Sequence, residues 1–308
     1  MKNIFYLILG MVSLLFAGCD KEDKNLKPSY EDVNWYAIQD DPTNDLKHLI
    51  FEVYDKTGIP IFYNDTIGSQ DRGLDGYGEP VIYYEILDLN YTIESHRDYV
   101  SYTLSNKEEE LTDGVNFLKD RVFPYLYKGI RPQCYLLVDE LILSSFNEHE
   151  EGVYRGMTAT VIGRLSELKD MTEDELNRFA AEVRATAMTP YIQANYNKEL
   201  QPFYSVSEIV SNGVTISLYG QTITRYGGSV PYKAYKDYGF LNPDPDFLFS
   251  SFVYTAPGRE RDMVEYITEV LVGKDEAFKE QYESSALILQ KYEVMKQVVA
   301  QVLADTRK

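Results

Sequence analysis

The sequence predicts an α+β chain, and three observations carry that reading. Apolar residues recur at helical spacing in five stretches. The strand-like runs between them are short and do not alternate with the helices in a βαβ rhythm. The longest helical pattern lies at the C-terminal end. No internal repeat or low-complexity tract interrupts this order.

The first 40 residues read as an address and a tether. Lys2 precedes the apolar run IFYLILGMVSLLF, and Ala17-Gly18-Cys19 closes it, which is the pattern of a secretory signal. Phe16-Ala17-Gly18-Cys19 resembles a bacterial lipobox, with Phe16 in place of the usual Leu; the resemblance implies lipidation of Cys19. The apolar run is too short for a transmembrane helix. The following Asp20-Lys21-Glu22-Asp23 resembles the acidic signal that sends lipoproteins to the outer surface in one group of Gram-negative bacteria. The expected layout is a signal peptide over 1–18, a polar tether over 19–40 and a single domain over 41–308.

Within that domain Asp41–Tyr54 reads as a helix, with Leu46, Leu49, Ile50 and Val53 on one face. Gly58–Tyr63 is a short strand. Ser69–Glu79, with three Gly and four charges, reads as a loop. Pro80–Leu89 and Tyr99–Leu104 read as strands or edge segments. Thr112–Val122 is a helix ended by Phe123-Pro124. Cys134–Leu143 is a strong strand, Phe146–Gly152 an acidic loop and Gly156–Gly163 a further strand.

The central helix is Thr172–Tyr191. Thr172 and Glu175 form a capping box, Leu176, Phe179, Ala180, Val183 and Ala187 recur on one side, and Pro190 stops the run. Ala181, Ala185 and Met188 lie on the opposite side with Glu182 on the flank, so protein is expected to cover both faces. Beyond it, Glu208-Ile209 begins a helical turn, and Val214–Thr224 is strand or irregular. Pro231–Pro245 is a long loop. Gly258–Val272 and Asp275 to about Ala304 are helices.

Composition narrows the function. The 49 acidic against 30 basic residues give a net charge of -19, which argues against nucleic acid as a partner. The 27 tyrosines suit strands with wet hydroxyls, or a surface that binds sugars or partners. With Cys19 lipidated, Cys134 stands alone in an apolar run and reads as a buried small residue. The three histidines, His48, His96 and His149, form no i, i+4 pair, so no local zinc signature exists. Glu148, His149 and Glu150 read as a solvated charge run. Asp244-Pro245-Asp246 holds two carboxylates in a stiff loop, a pattern that suits paired-acid glycosidase chemistry, Ca²⁺ binding and plain turn chemistry alike.

The order of pieces carries a further resemblance. A lipobox, a helix, YDKTGIPIFY, NFLKDRVFP, YLLVDEL, the capped central helix and NPDPDF…RERDMVEYI follow one another. This order resembles the zinc metallohydrolase-like lipoproteins associated with TonB-dependent substrate import, and it spans most of the mature chain. The resemblance implies a zincin-like fold with helices around a small mixed sheet. It also implies an outer-membrane, outward-facing location beside an importer and its surface lipoprotein.

In that family the central helix carries HExxH and a further His, which hold zinc and activate water. Here Glu182 falls at the general-base position, and Ala181, Ala185 and Met188 fall where the imidazoles would be. No His follows His149. The expected domain is therefore a degenerate metallopeptidase-like one, with no zinc and no other cofactor. It would act as an accessory or binding subunit of nutrient import. The alternative is an active hydrolase, peptidase or glycan-processing, with Glu182 joined by Arg184, Asp244, Asp246 or His149.

Overall fold

The computed structural model describes residues 33–89, 99–144, 147–228, 230–245 and 252–306. The signal, Cys19 and most of the tether, together with His96 and Asp246, lie outside the described residues. Residues from Tyr36 onward form one compact unit, a mixture of α and β elements as the sequence predicts. Among the described residues no helix is long and apolar enough to cross a membrane.

The main sheet has four strands in the order β1 (Ile61–Phe62), β5 (Tyr135–Leu137), β9 (Thr160–Ile162) and β8 (Val153–Arg155). β1, β5 and β9 run parallel, and β8 is antiparallel at the edge. The central strand is buried on both faces. Tyr135 and Leu137 point into the larger core, whereas Cys134, Leu136 and Val138 point into a smaller one. This is period-two alternation with apolar residues on both sides. The predicted strand Cys134–Leu143 is in fact two. The chain leaves the first sheet at Val138-Asp139 and enters a second, built from β4 (Tyr99–Thr103), β6 (Glu140–Ser144) and β7 (Glu148–Glu150).

Two segments that read as loop or helical turn are hairpins. β2 (Thr66–Leu74) pairs with β3 (Pro80–Ile86) across a turn in which Asp75 accepts from the N–H groups of Tyr77 and Glu79. The strands are largely exposed, so burial imprints no clear alternation on their sequence. β10 (Glu208–Ser211) and β11 (Val214–Ser217) meet at Asn212-Gly213, whose φ angles of 51° and 78° are those a two-residue hairpin turn demands. β12 (Thr222–Thr224) pairs with β13 (Val253–Thr255).

The helices supply most of the larger core. α1 (Asp45–Thr57) is capped by Asn44 rather than starting at Asp41. α2 (Glu108–Phe117) begins four residues before its predicted start, because Glu108, Glu109 and Glu110 favour the positive end of the helix dipole. It continues as one π-helical turn, Leu118–Val122. α3 (Glu173–Asn195) has the predicted capping box, but it runs through Pro190. Proline removes one N–H from the helical ladder, and burial of Met188, Thr189 and Ile192 on either side holds the helix together. α4 (Asn197–Ser205) follows at once.

α5 (Arg259–Val272) ends at Gly273 in the left-handed region, φ 74°. The predicted last helix is split into α6 (Asp275–Gln281) and α7 (Ala286–Thr306). α5 packs against both α3 and α7, and these crossings place the chemistry.

Candidate functional site

Both faces of α3 are covered, but by different things. Ala181, Ala185 and Met188 are fully buried, the last two in the larger core. Arg178, Glu182 and Thr186, spaced four apart, instead line a cleft of about 560 Å³. The facing wall is α5, which contributes Arg261, Glu265 and Glu269. Glu151 and β8 close one end, and Leu241-Asn242 supply part of the floor.

Three ion pairs fix the walls. The Arg261 guanidinium donates to Glu151 Oε1 at 2.8 Å, Arg155 to Glu260 at 2.7 Å, and Arg178 to Glu269 at 2.7 and 3.1 Å. His149 Nε2 lies 3.0 Å from the same Glu151 oxygen. The sequence places His149 in a solvated charge run; the structure does not. Pairing of β7 with β6 alternates the side chains, so Glu148 and Glu150 face water and His149 turns inward, 17% exposed.

Two acids remain without a hydrogen-bonded cation. Glu182 has no hydrogen-bonded partner among the described residues; it opens onto the cleft and is otherwise enclosed. Burial, reinforced by the Glu151 charge, pushes its carboxyl up to about 7 against the opposing pull of Arg164, Arg261 and Arg178. Glu265 is 16% exposed, with Oε1 3.7 Å from Arg261 Nε and Oε2 buried without a partner. Burial pushes it up to about 8, against Arg261 and an Asn242 hydrogen bond. The cleft thus presents fixed guanidinium–carboxylate pairs beside two carboxyl groups that keep their protons near neutral pH.

The zinc that the family resemblance implies does not fit these residues. The ligand positions on α3 are aliphatic and closed. The cleft offers carboxyls, three of them already held by arginine, and among the described residues no group of three or more His, Cys, Asp or Glu gathers as a metal site. Zinc sites of this type are built from imidazole and an open coordination position.

Of the other candidates, Arg184 faces elsewhere. Its Nε donates to Ala180 O at 3.0 Å and its guanidinium sits 4.8 Å from the Tyr125 ring centre. Asp244 acts on the cleft through its charge, which adds least, after Glu151 and Glu265, to the raised pKa of Arg261 against the opposing effect of burial. His48 lies on the surface of α1 against Asp40 at 2.7 Å, which raises its pKa. Cys134 is buried, and desolvation pushes its thiol up to about 12, so it is inert near neutral pH.

Arg178, Glu151, Arg261 and Glu265 do not stand out in the sequence as site residues. Two spacings nevertheless signal three of them: Arg178-Glu182-Thr186 and Arg261-Glu265 each repeat at i, i+4 on the polar side of a predicted helix.

Comparison of the chain with protein-family models, with curated proteins and with solved structures finds no match in any of the three.

Proposed function

We propose that this chain is an outward-facing, lipid-anchored protein that binds a small polar nutrient in the α3–α5 cleft. It passes the ligand to an outer-membrane importer without hydrolysing it. The lipidation and the importer rest on the lipobox at Cys19 and on the order of motifs in the sequence. The observation that carries the binding role is the split character of α3. The residue at the family's general-base position, Glu182, opens onto a cleft, while the three positions of its zinc ligands are aliphatic and packed shut.

The chemistry of the cleft favours a hydroxyl- or amine-bearing ligand. Neutral carboxyl groups donate and accept hydrogen bonds, and arginine–glutamate pairs offer fixed donors and acceptors to a sugar or to a peptide backbone. An ammonium group between Glu182 and Glu265 would draw both into their charged forms; a neutral polyol would leave them protonated.

Calorimetric titration with neutral oligosaccharides and short peptides tests the proposal, alongside hydrolysis assays on the same compounds and metal analysis of chain purified without chelator. Binding without turnover is the expected outcome. Stoichiometric zinc with turnover would overturn it. Because Glu182 is protonated below about pH 7, the isosteric Glu182→Gln should leave affinity at pH 6 nearly unchanged.

One observation favours a second reading, a hydrolase without metal. Carboxyls whose pKa values lie near the working pH are suited to general acid–base catalysis. Turnover lost in both Glu182→Gln and Glu265→Gln, with binding kept, would select that reading.

A further inference from the structure

Behind the cleft, Lys291 of α7 meets Asp262 of α5. Neither side chain has any exposure, and Lys291 Nζ lies 2.5 Å from Asp262 Oδ2. Nζ also reaches Ser207 Oγ and the Tyr219 hydroxyl, each at 3.2 Å, and the Tyr219 O–H donates to Asp262 Oδ2 at 2.8 Å. Four rings surround the amine, with centres 4.3 Å (Phe203), 4.8 Å (Phe240), 5.0 Å (Tyr266) and 5.3 Å (Tyr219) from Nζ. Asp262 Oδ1 is buried without any hydrogen bond.

A simple ion pair explains this arrangement poorly. Each buried ion costs several kcal/mol in lost hydration, and the pair recovers it only when the remaining lone pairs are satisfied. Here a whole carboxylate oxygen is left bare. The rings attract a cation, yet they also exclude water from the pair. Burial drives the two groups toward the same neutral state, raising the Asp262 acid and lowering the Lys291 amine. A neutral amine in contact with a neutral carboxyl, in a dry pocket, is a set of reactants.

We propose that Lys291 and Asp262 condense in the folded chain to an amide, an internal cross-link between α5 and α7. The Nζ lone pair attacks Asp262 Cγ. The Tyr219 hydroxyl holds the charge that develops on Oδ2, which remains as the amide oxygen. One proton leaves Nζ and one is delivered to the Oδ1 hydroxyl, the Cγ–Oδ1 bond breaks, and one water departs. Nothing is oxidised or reduced.

Glu265 is the proton carrier. It lies one turn beyond Asp262 on α5, the charges of Asp262 and Lys291 both act on it, its own charge acts on Lys291, and its Oε2 is buried without a partner. It takes the proton from Nζ and gives its own to Oδ1, ending as it began. It also lines the cleft, which gives the water an exit. A protein whose described cysteine is free gains in this way the covalent staple that a disulfide would provide.

Peptide mapping of the purified full-length chain tests the proposal independently of N-terminal processing. Trypsin cannot cleave after an acylated lysine. The linked chain should therefore yield residues 262–274 joined to residues 280–296, one water lighter than the two together. Separate 262–274 and 280–291 peptides, with no joined species, would overturn the cross-link. Glu265→Gln, which keeps shape and volume, should fold and give the separate peptides. A joined species in that variant would remove Glu265 from the reaction.

Discussion

Asp262, Glu265 and Glu269 follow one another along a single face of α5, and each meets burial differently. Asp262 lies in the core against Lys291; Glu265 lies in the cleft with Arg261 at ion-pair distance but no hydrogen bond between them; Glu269 lies at the rim, bidentate to Arg178. Over two helical turns side-chain exposure goes from none through 16% to 20%, and the partner changes with it. The same carboxyl group is in turn the core partner of Lys291, a proton store and the bidentate partner of an arginine. Coulomb attraction does not scale with apparent closeness here; what matters is how much water each group has lost.

The sharpest way to break this comparison is at the core end. Lys291→Met leaves Asp262 buried with only Tyr219 for a partner. Removing one member of a buried pair costs about 3–5 kcal/mol, and urea denaturation should show a loss of that order. The double variant Lys291→Met, Asp262→Leu relieves the unpaired carboxyl but still lacks the α5–α7 link, so it should recover only part of the loss. Full recovery in the double variant would mean that the native pair contributes no covalent link.

The cleft end predicts a pH dependence of opposite character to that of ordinary surface carboxylates. Glu182 and Glu265 have folded pKa values of about 7 and about 8 against an unperturbed 4.5. A raised carboxyl contributes stability that is fully present below its unfolded pKa and is lost as pH rises through the folded one. Stability should therefore fall between about pH 4.5 and pH 8. A tenfold change in proton affinity between the unfolded and folded chain corresponds to about 1.4 kcal/mol. Glu182 alone thus accounts for a change on the order of 3 kcal/mol at most, reduced by the water that reaches the cleft. The facing charges of Glu151, Arg164, Arg178 and Arg261 set the midpoint. Glu182→Gln should flatten part of the profile and stabilise the chain at pH 8. A flat profile in the unmodified chain would mean that the cleft is wetter than its geometry implies.

How much of this is legible in the sequence differs along the same gradient. The capping box at Thr172, the burial of both sides of α3 and the inward face of α5 all follow from periodicity, and the structure has them. Glu182 stands out in the sequence only through the family resemblance, which puts it at the general-base position; periodicity alone leaves it on the flank of the helix. Its partners across the cleft come from α5 and from the segment after β7, more than 75 positions away in one direction and about 30 in the other, and nothing local couples them. The Asn212-Gly213 hairpin is readable from its turn residues, although Glu208-Ile209 taken alone suggests a helical turn. The β2–β3 hairpin is not readable, because exposed strands rich in Gly and charge lack the alternation that burial imprints. Lys291 looks like any polar position on a long helix; only the meeting of α5, α7 and the 203–240 segment buries it.

A smaller effect tests the closed side of α3. Ala181→His or Ala185→His would place an imidazole where the resembled family has a zinc ligand, but each position is fully buried against packed neighbours. Overpacking costs about 1–3 kcal/mol, so each variant should lower the midpoint of thermal unfolding, and the pair should bind no zinc by elemental analysis. Zinc uptake with unchanged stability would show that the side is elastic enough to open.

The rim carries the smallest effect. Arg178 is 52% exposed and Glu269 20%, and exposed ion pairs contribute about 0–1 kcal/mol even with good geometry. Arg178→Ala should change stability by less than that, and the change should shrink as salt is added. Its effect on the cleft should be larger than its effect on the fold. Arg178 opposes the upward shift of Glu182, so its removal should move the pH midpoint of Glu182 upward while the rest of the molecule is unchanged. A stability loss as large as that of Lys291→Met would contradict the gradient along α5, because it would mean that the rim pair has lost as much water as the core one.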